Sequence, residues 1–361
     1  MAFVLALWVF VVFFFDGILA NLARERLIEA VASGTHGEYQ LSFTAFTYHR
    51  GVVTATGTDV HRIAYRANEY GTTLRKLGID SAQVTGVSWW DVIFGKPIIF
   101  STFRTYRPNA YLCDFAQGKS NWKLLPPYKP VASSPSTLSL TVTNVSIPNV
   151  VIYGQLQTKD IPAGTFSFNA SDLNYNAKSN APLNLTSKGF DLDVPWVQYS
   201  DSGTLYLVRA ARVTSADSLL TIDTFAYASG SSTTAFRGSG IRATHLGFVR
   251  MLNGKGLSLD SLVANTYAAS FTTGSSQHSQ DSGLSWQDQL ARSAKFPIAI
   301  KSIALNGGAL DLHLDTVNLL TARGLSLHAV GFDFDSGAPS NQPGFARQFA
   351  LSASNASYRT K

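Results

Sequence analysis

The chain has 361 residues, of which 45% are hydrophobic and 14% charged, and its net charge is +6. The positive charge is scattered with no basic run, which argues against a nucleic-acid surface and leaves room for attraction to anionic lipid headgroups. The single cysteine, Cys113, excludes an internal disulfide, a zinc finger and a CxxC redox pair, and reads as a small hydrophobe in a strand.

The sequence opens with MAFVLALWVFVVFFFDGILANLARERLIEA. The apolar run from Ala2 to Phe15 is interrupted by Asp16 and extended by Gly17, Ile18, Leu19 and Ala20. At helical rise this spans roughly 28 Å, about the hydrocarbon thickness of a bilayer, so residues 1–31 read as an N-terminal membrane anchor helix. A cleavable signal peptide is the competing reading, but no clean small-x-small site follows the run. Arg24 and Arg26 lie after the run and no basic residue precedes it, which by the positive-inside rule would hold the later residues inside. Basic residues upstream of Met1 would remove that conflict.

From Glu38 the hydrophobic period changes to two. Tyr39, Leu41 and Phe43 alternate with polar residues, as do Leu138, Leu140 and Val142, and later Leu310, Leu312 and Leu314. Similar runs lie near 51–65, 149–157, 164–175, 204–213, 219–228, 298–305, 325–334 and 345–353. Turn-forming clusters such as Asn306-Gly307-Gly308 separate them. The low charge, offset by Ser, Thr, Asn, Ala and Gly, points the same way: a mostly β protein of short antiparallel strands. One face of each strand is apolar and must cover a core or meet something apolar.

Two segments interrupt the strands. SWWDVIFGKPIIFSTF (Ser88–Phe103) places apolar residues at helical spacing before Gly95-Lys96, and RMLNGKGLSLDSL (Arg250–Leu262) does the same before Gly254-Lys255. Gly and Lys suit a helix C-terminus, so both read as a β–short helix–β unit, used twice. The domain reading is therefore a first β unit at 33–125 with a short helix near 89–95, a Pro-rich linker at 126–137, and a repetitive β region at 138–361, whose alternating pattern is still running at Lys361 as in a fragment. A second polar break is expected at 274–283, before an amphipathic stretch around Leu284, Trp286 and Leu290.

Four features resemble the AsmA-like family of bacterial envelope proteins, relatives of TamB and the bridge-like lipid-transfer proteins. These are the anchor followed by Leu22–Val31, the segment YQLSFTAFTYHRGVVTATGTDV, the unit IDSAQVTGVSWWDVIFGKPIIFSTFRTYRPNAYL, and the repeats LSLTVTNVSIPNVVIYG and KFPIAIKSIALNGGALDLHL. The resemblance lies in pattern and order over nearly the whole chain, without a signature residue, and this chain is shorter than the long members. It implies a long, repetitive antiparallel β-sheet, a curved trough or half-barrel with short inserted helices, anchored in the inner membrane and projecting into the periplasm. It also implies phospholipid as partner, a role in envelope biogenesis, and envelope protein partners of unknown identity.

The in-phase apolar residues Leu138, Leu140, Val142, Leu310, Leu312 and Leu314 are the candidate lipid-binding set, although they would equally suit a sandwich core. No catalytic motif, metal-ligand spacing or cofactor fingerprint is present: there is no G-x-S-x-G, no P-loop and no H-E-x-x-H. The expectation is a non-enzymatic protein with no metal and no cofactor. Asp191/Asp193 and Asp333/Asp335 are D-x-D pairs, and at period two each pair shares one strand face, which suits a solvated edge better than a glycosidase pair. The alternative function is a surface adhesin or structural β-sandwich protein.

Overall fold

The structure is a computed structural model. It describes residues 20–29, 37–64, 71–88, 98–116, 139–156, 159–176, 185–201, 204–215, 217–228, 235–247, 256–272, 297–313, 319–334 and 344–359, with 17, 31, 32, 35, 119 and 120. Residues 20–29 are helical and nearly all the rest are in strands. Among the described residues no helix is long and apolar enough to cross a membrane, and the run Ala2–Phe15 of the expected anchor lies outside them.

The chain divides into two units, Met1–Leu192 and Asp193–Lys361. In the first, β1 (Tyr39–Ser42) and β2 (Ala45–His49) both pair antiparallel with β3 (Val52–Arg62) in one register, so they are halves of a single strand. β4 (Gly71–Thr85) and β5 (Ile98–Ala116) continue the antiparallel ladder. Beyond β5 lie β6 (Lys119–Ser120), at its end, and β7 (Ser139–Leu156), which runs parallel to it. β8 (Lys159–Asn176) returns antiparallel to β7, and β9 (Leu185–Thr186) pairs with β8.

β10 (Gly189–Asp201) carries the chain from one unit into the next. In the second unit β11 (Thr204–Thr214), β12 (Leu219–Ala228) and β13 (Ala235–Thr244) form an antiparallel meander. β14 (Leu257–Ala264) and β15 (Thr266–Thr272) are again halves of one strand, antiparallel to β13. β16 (Ile298–His313) runs parallel to both, and β17 (Leu319–Phe334) antiparallel to β16. β18 (Gly344–Phe345), β19 (Gln348–Ser352) and β20 (Asn355–Arg359) all pair with β17.

Two expectations are corrected here. The sheet is mixed rather than antiparallel, because each unit contains one parallel pair. Parallel neighbours need a connection of about a dozen residues or more, since the chain must return to its starting end. The Pro-rich 126–137 and the polar 274–283 fall within those two connections, so they join paired strands instead of separating domains. Both segments, the amphipathic 284–290 and the two expected short helices lie outside the described residues.

The strands are also longer than expected. Runs expected separately at 138–142 and 149–157 are one strand, β7, and those at 298–305 and 310–314 are one strand, β16. The interruptions that split them in the sequence are bulges, which disturb alternation without ending the ladder. They line up across the strands. In the first unit a row of register neighbours runs Thr44, Gly57, Asp80, Arg107, Asn149, with Gly57, Arg107 and Asn149 at φ of 55°, 47° and 52°. In the second the row runs Ala210, Asp223, Gly240, Asn265 and on to Gly307 and Gly324, with Ala210 and the three glycines at φ of 47° to 60°. A Cβ on Gly57 would collide with Thr44, and one on Gly240 with Asn265. A second row in each unit passes through Gly86, Ser101, Thr143 and Asp172, and through His245, Asp260, Lys301 and Gly331.

Candidate lipid-binding face

A bulge places two consecutive residues on the same side of a strand, so the residues on the other side step by three instead of two. The buried cluster of Ala243, Leu259 and Ile300 shows this directly. Leu257, Leu262, Ile298, Ile303, Leu220, Leu246 and Phe332 pack against it. Ile298, Ile300 and Ile303 therefore share a face, while Lys301 and Ser302 between them are both exposed. Along β16 the face continues through Leu305, Gly308, Leu310 and Leu312, with the register shift at Leu305/Gly308 absorbing the second three-residue step.

Parallel pairing copies this spacing into the neighbouring strand. Leu257, Leu259, Leu262, Ala264, Tyr267 and Ala269 are the partners of Ile298, Ile300, Ile303, Leu305, Gly308 and Leu310. On β13, Gly238 sits between Phe236 and Ile241 on the same side: a Cβ there would meet the Ile241 Cδ1 at 3.2 Å and the Phe236 ring at 3.7 Å. Phe236 in turn packs its ring 5.9 Å from that of Phe225, and Tyr206 lies 5.2 Å from Tyr227. The face thus crosses the bulge row without changing sides. Tyr267 lies over Gly308 so closely that no side chain fits there, and its burial pushes its hydroxyl above the ordinary 10.0.

The first unit follows the same scheme. Val53, Ala55 and Thr58 on β3, Ala82 on β4, Thr105, Pro108 and Ala110 on β5, and Val142, Val145 and Val150 on β7 are buried. Their registers place them in shared rows: Val53 with Val84, Phe103 and Val145, and Ala55 with Ala82 and Thr105. At one end Arg62, fully buried, pairs with Glu38, donates to the Ala64 carbonyl at 2.8 Å, and lies 5.8 Å from the Tyr39 ring centroid. Tyr39 donates its hydroxyl to the Leu74 carbonyl at 2.7 Å. Nothing in the sequence pattern anticipated this pair.

The opposite side is polar. Asp260 accepts from Lys301 at 2.6 Å and lies 3.3 Å from His245, and the Lys301 hydrogen bond holds its carboxyl below the ordinary 3.8. Asp311 meets Arg323 at 2.6 Å, and Asp59 meets Lys76 at 2.6 Å.

Of the expected lipid-binding set, Val142 is buried on the first face and Leu310 and Leu312 are half-buried on the second. Leu140 lies in β7, paired with Ile98 and Tyr175. Leu138 and Leu314 lie outside the described residues. The face also contains aromatic residues that strict alternation passes over, among them Phe225, Tyr227, Phe236 and Tyr267. The signal that finds them is the two-then-three spacing itself. Asp191 and Asp193 are exposed on β10 and Asp333 is exposed on β17, while Asp335 is outside the described residues. Comparison with protein-family models, curated proteins and solved structures yields no match.

Proposed function

We propose that this is a membrane-anchored periplasmic β protein of the bacterial envelope, which supports envelope biogenesis by shielding or transferring phospholipid along its apolar face. The observation that carries the reading is the continuity of that face within each unit, across every bulge row, with its side chains buried or half-buried and the Asp59–Lys76, Asp260–Lys301 and Asp311–Arg323 pairs on the reverse side. Such a face can cover acyl chains at about 0.8 kcal/mol per buried CH₂ while headgroups stay in water. The order of elements shared with the AsmA-like family supports the same reading, which needs no nucleophile, metal or cofactor.

Site-specific photo-crosslinking in cells tests it. A photoreactive residue at Leu310 or Val142 is expected to yield phospholipid adducts by mass spectrometry, and the neighbouring positions Ala309 and Thr141, on the reverse side, few. Equal labelling of both sides, or none at Leu310 and Val142, would instead favour an adhesin or structural protein with a sealed core.

A further inference from the structure

Arginines that are scattered in the sequence come together on the reverse side of the second unit. Arg212 lies between buried Ala211 and Val213, and Arg242 beside buried Ala243, so both side chains leave the sheet opposite the apolar face. Both are register partners of Thr221, one strand to either side, which sets them about 10 Å apart. Arg209 is opposite Thr224, whose other partner is Ser239, and Arg237 is two residues from Ser239 along β13. All four arginines are exposed, and none makes an ion pair among the described residues. Against them β11, β12 and β13 carry one carboxylate, Asp223. Beside this patch the charges are matched, Lys301 and His245 by Asp260, and Arg323 by Asp311. The fold does not require the arginines. The amide of Val87 donates to the Gly51 carbonyl in one unit, and that of Leu246 to the Ser218 carbonyl in the other. Counted along the ladders from these bonds, the first unit has Thr44, Thr47, Gly78 and Gln83 where the second has Arg209, Arg212, Arg237 and Arg242.

We propose that this arginine patch seats the second unit against the surface of an anionic phospholipid bilayer. Each guanidinium is a planar fork that donates to two phosphate oxygens at once, and the Thr221 hydroxyl between Arg212 and Arg242 is a further donor. The rings of these strands, Tyr206, Phe225, Tyr227 and Phe236, lie on the apolar side, so the patch has no stacking platform for single-stranded nucleic acid. A bilayer instead offers many phosphates in one plane, which suits four forks spread over a sheet surface. The proposal does not depend on lipid lying on the apolar face. Ala309 stays outside the patch, on β16 opposite Arg323, whose charge Asp311 already meets.

The test floats the full chain on phosphatidylcholine vesicles with and without phosphatidylglycerol; the apolar N-terminal run contributes to both alike. Wild type is expected to prefer the anionic vesicles, and R212Q/R242Q to lose about fivefold of that preference for each arginine removed. R212K/R242K, which keeps the charge, is expected to retain most of it. R50Q/R104Q takes equal charge from the first unit and is expected to leave the preference nearly unchanged. Circular dichroism confirms that each variant folds. Indifference of wild type to phosphatidylglycerol, or equal loss in R212Q/R242Q and R50Q/R104Q, overturns the patch and leaves the crosslinking test of the apolar face untouched. Tighter binding of double-stranded DNA than of anionic vesicles at equal phosphate would overturn the bilayer as occupant in favour of nucleic acid.

Discussion

The two units solve one topological problem with different side chains. Each has an antiparallel meander, a connection across the 88–98 or 247–257 segment, a parallel crossover and a closing hairpin, and each has two bulge rows. The fillings differ. Where the first unit places Gly86, Ser101 and Thr143 along its second row, the other unit places His245, Asp260 and Lys301. Ser101 occupies the space a Cβ on Gly86 would need, whereas His245 takes the left-handed conformation (φ 53°) and joins a charged cluster. Val150 beside Pro108 in one unit becomes Gly308 beneath Tyr267 in the other, an exchange of large and small that preserves the row. Backbone geometry is thus the shared element, and composition is free wherever a neighbouring strand can compensate.

The largest expected effect concerns the buried ion pair of the first unit. Arg62→Met leaves Glu38 buried without its partner, and about 3–5 kcal/mol of stability should be lost. Hydrogen exchange is expected to show deprotection concentrated in β1, β3 and β4, with Glu38→Gln in the same chain recovering much of it. Uniform deprotection of residues 193–361 would show that the units do not hold their stability separately.

Gly308→Val drives a branched side chain into the Tyr267 ring and should cost about 1–3 kcal/mol by denaturant unfolding. Adding Tyr267→Ala is expected to restore part of that loss, the sign of a coupled pair. If the two changes are simply additive, the large-for-small exchange between units is coincidental.

Gly57→Ala and Gly240→Ala test the bulge rows. Each introduces a Cβ at positive φ, against Thr44 or Asn265, and should cost about 1–2 kcal/mol in midpoint shift. Similar losses in both units are expected if the rows are equivalent.

The smallest effect is electrostatic. Asp260 has a folded-state pKa below its unfolded value, so its stabilisation is complete above about pH 4 and is lost as pH falls through the folded value. Lys301→Met should raise the Asp260 pKa toward the ordinary range, measured by NMR titration of its carboxyl carbon. Its effect on stability near pH 7 should be slight, because the pair is solvated.

The sequence by itself determined that the chain is β-rich and that one side of each strand is apolar, because alternation of Leu, Val and Ile with Ser, Thr and Asn has few other solutions. It also marked the gaps between β4 and β5 and between β13 and β14, and it read 126–137 and 274–283 as a linker and a polar break, not as crossovers between parallel strands. Those signals are local: Gly-Lys after an apolar turn, or Pro clusters that remove donors. Read as pure alternation, however, a chain with steps such as Leu305 to Gly308 or Ile147 to Val150 looks broken, and β7 and β16 each fall into two runs. Only the tertiary structure decided that the breaks are bulges, that β5 runs parallel to β7 and β15 to β16, and that Arg62 meets Glu38. Each depends on a partner strand remote in the sequence, whose hydrogen bonds set which residue faces which side.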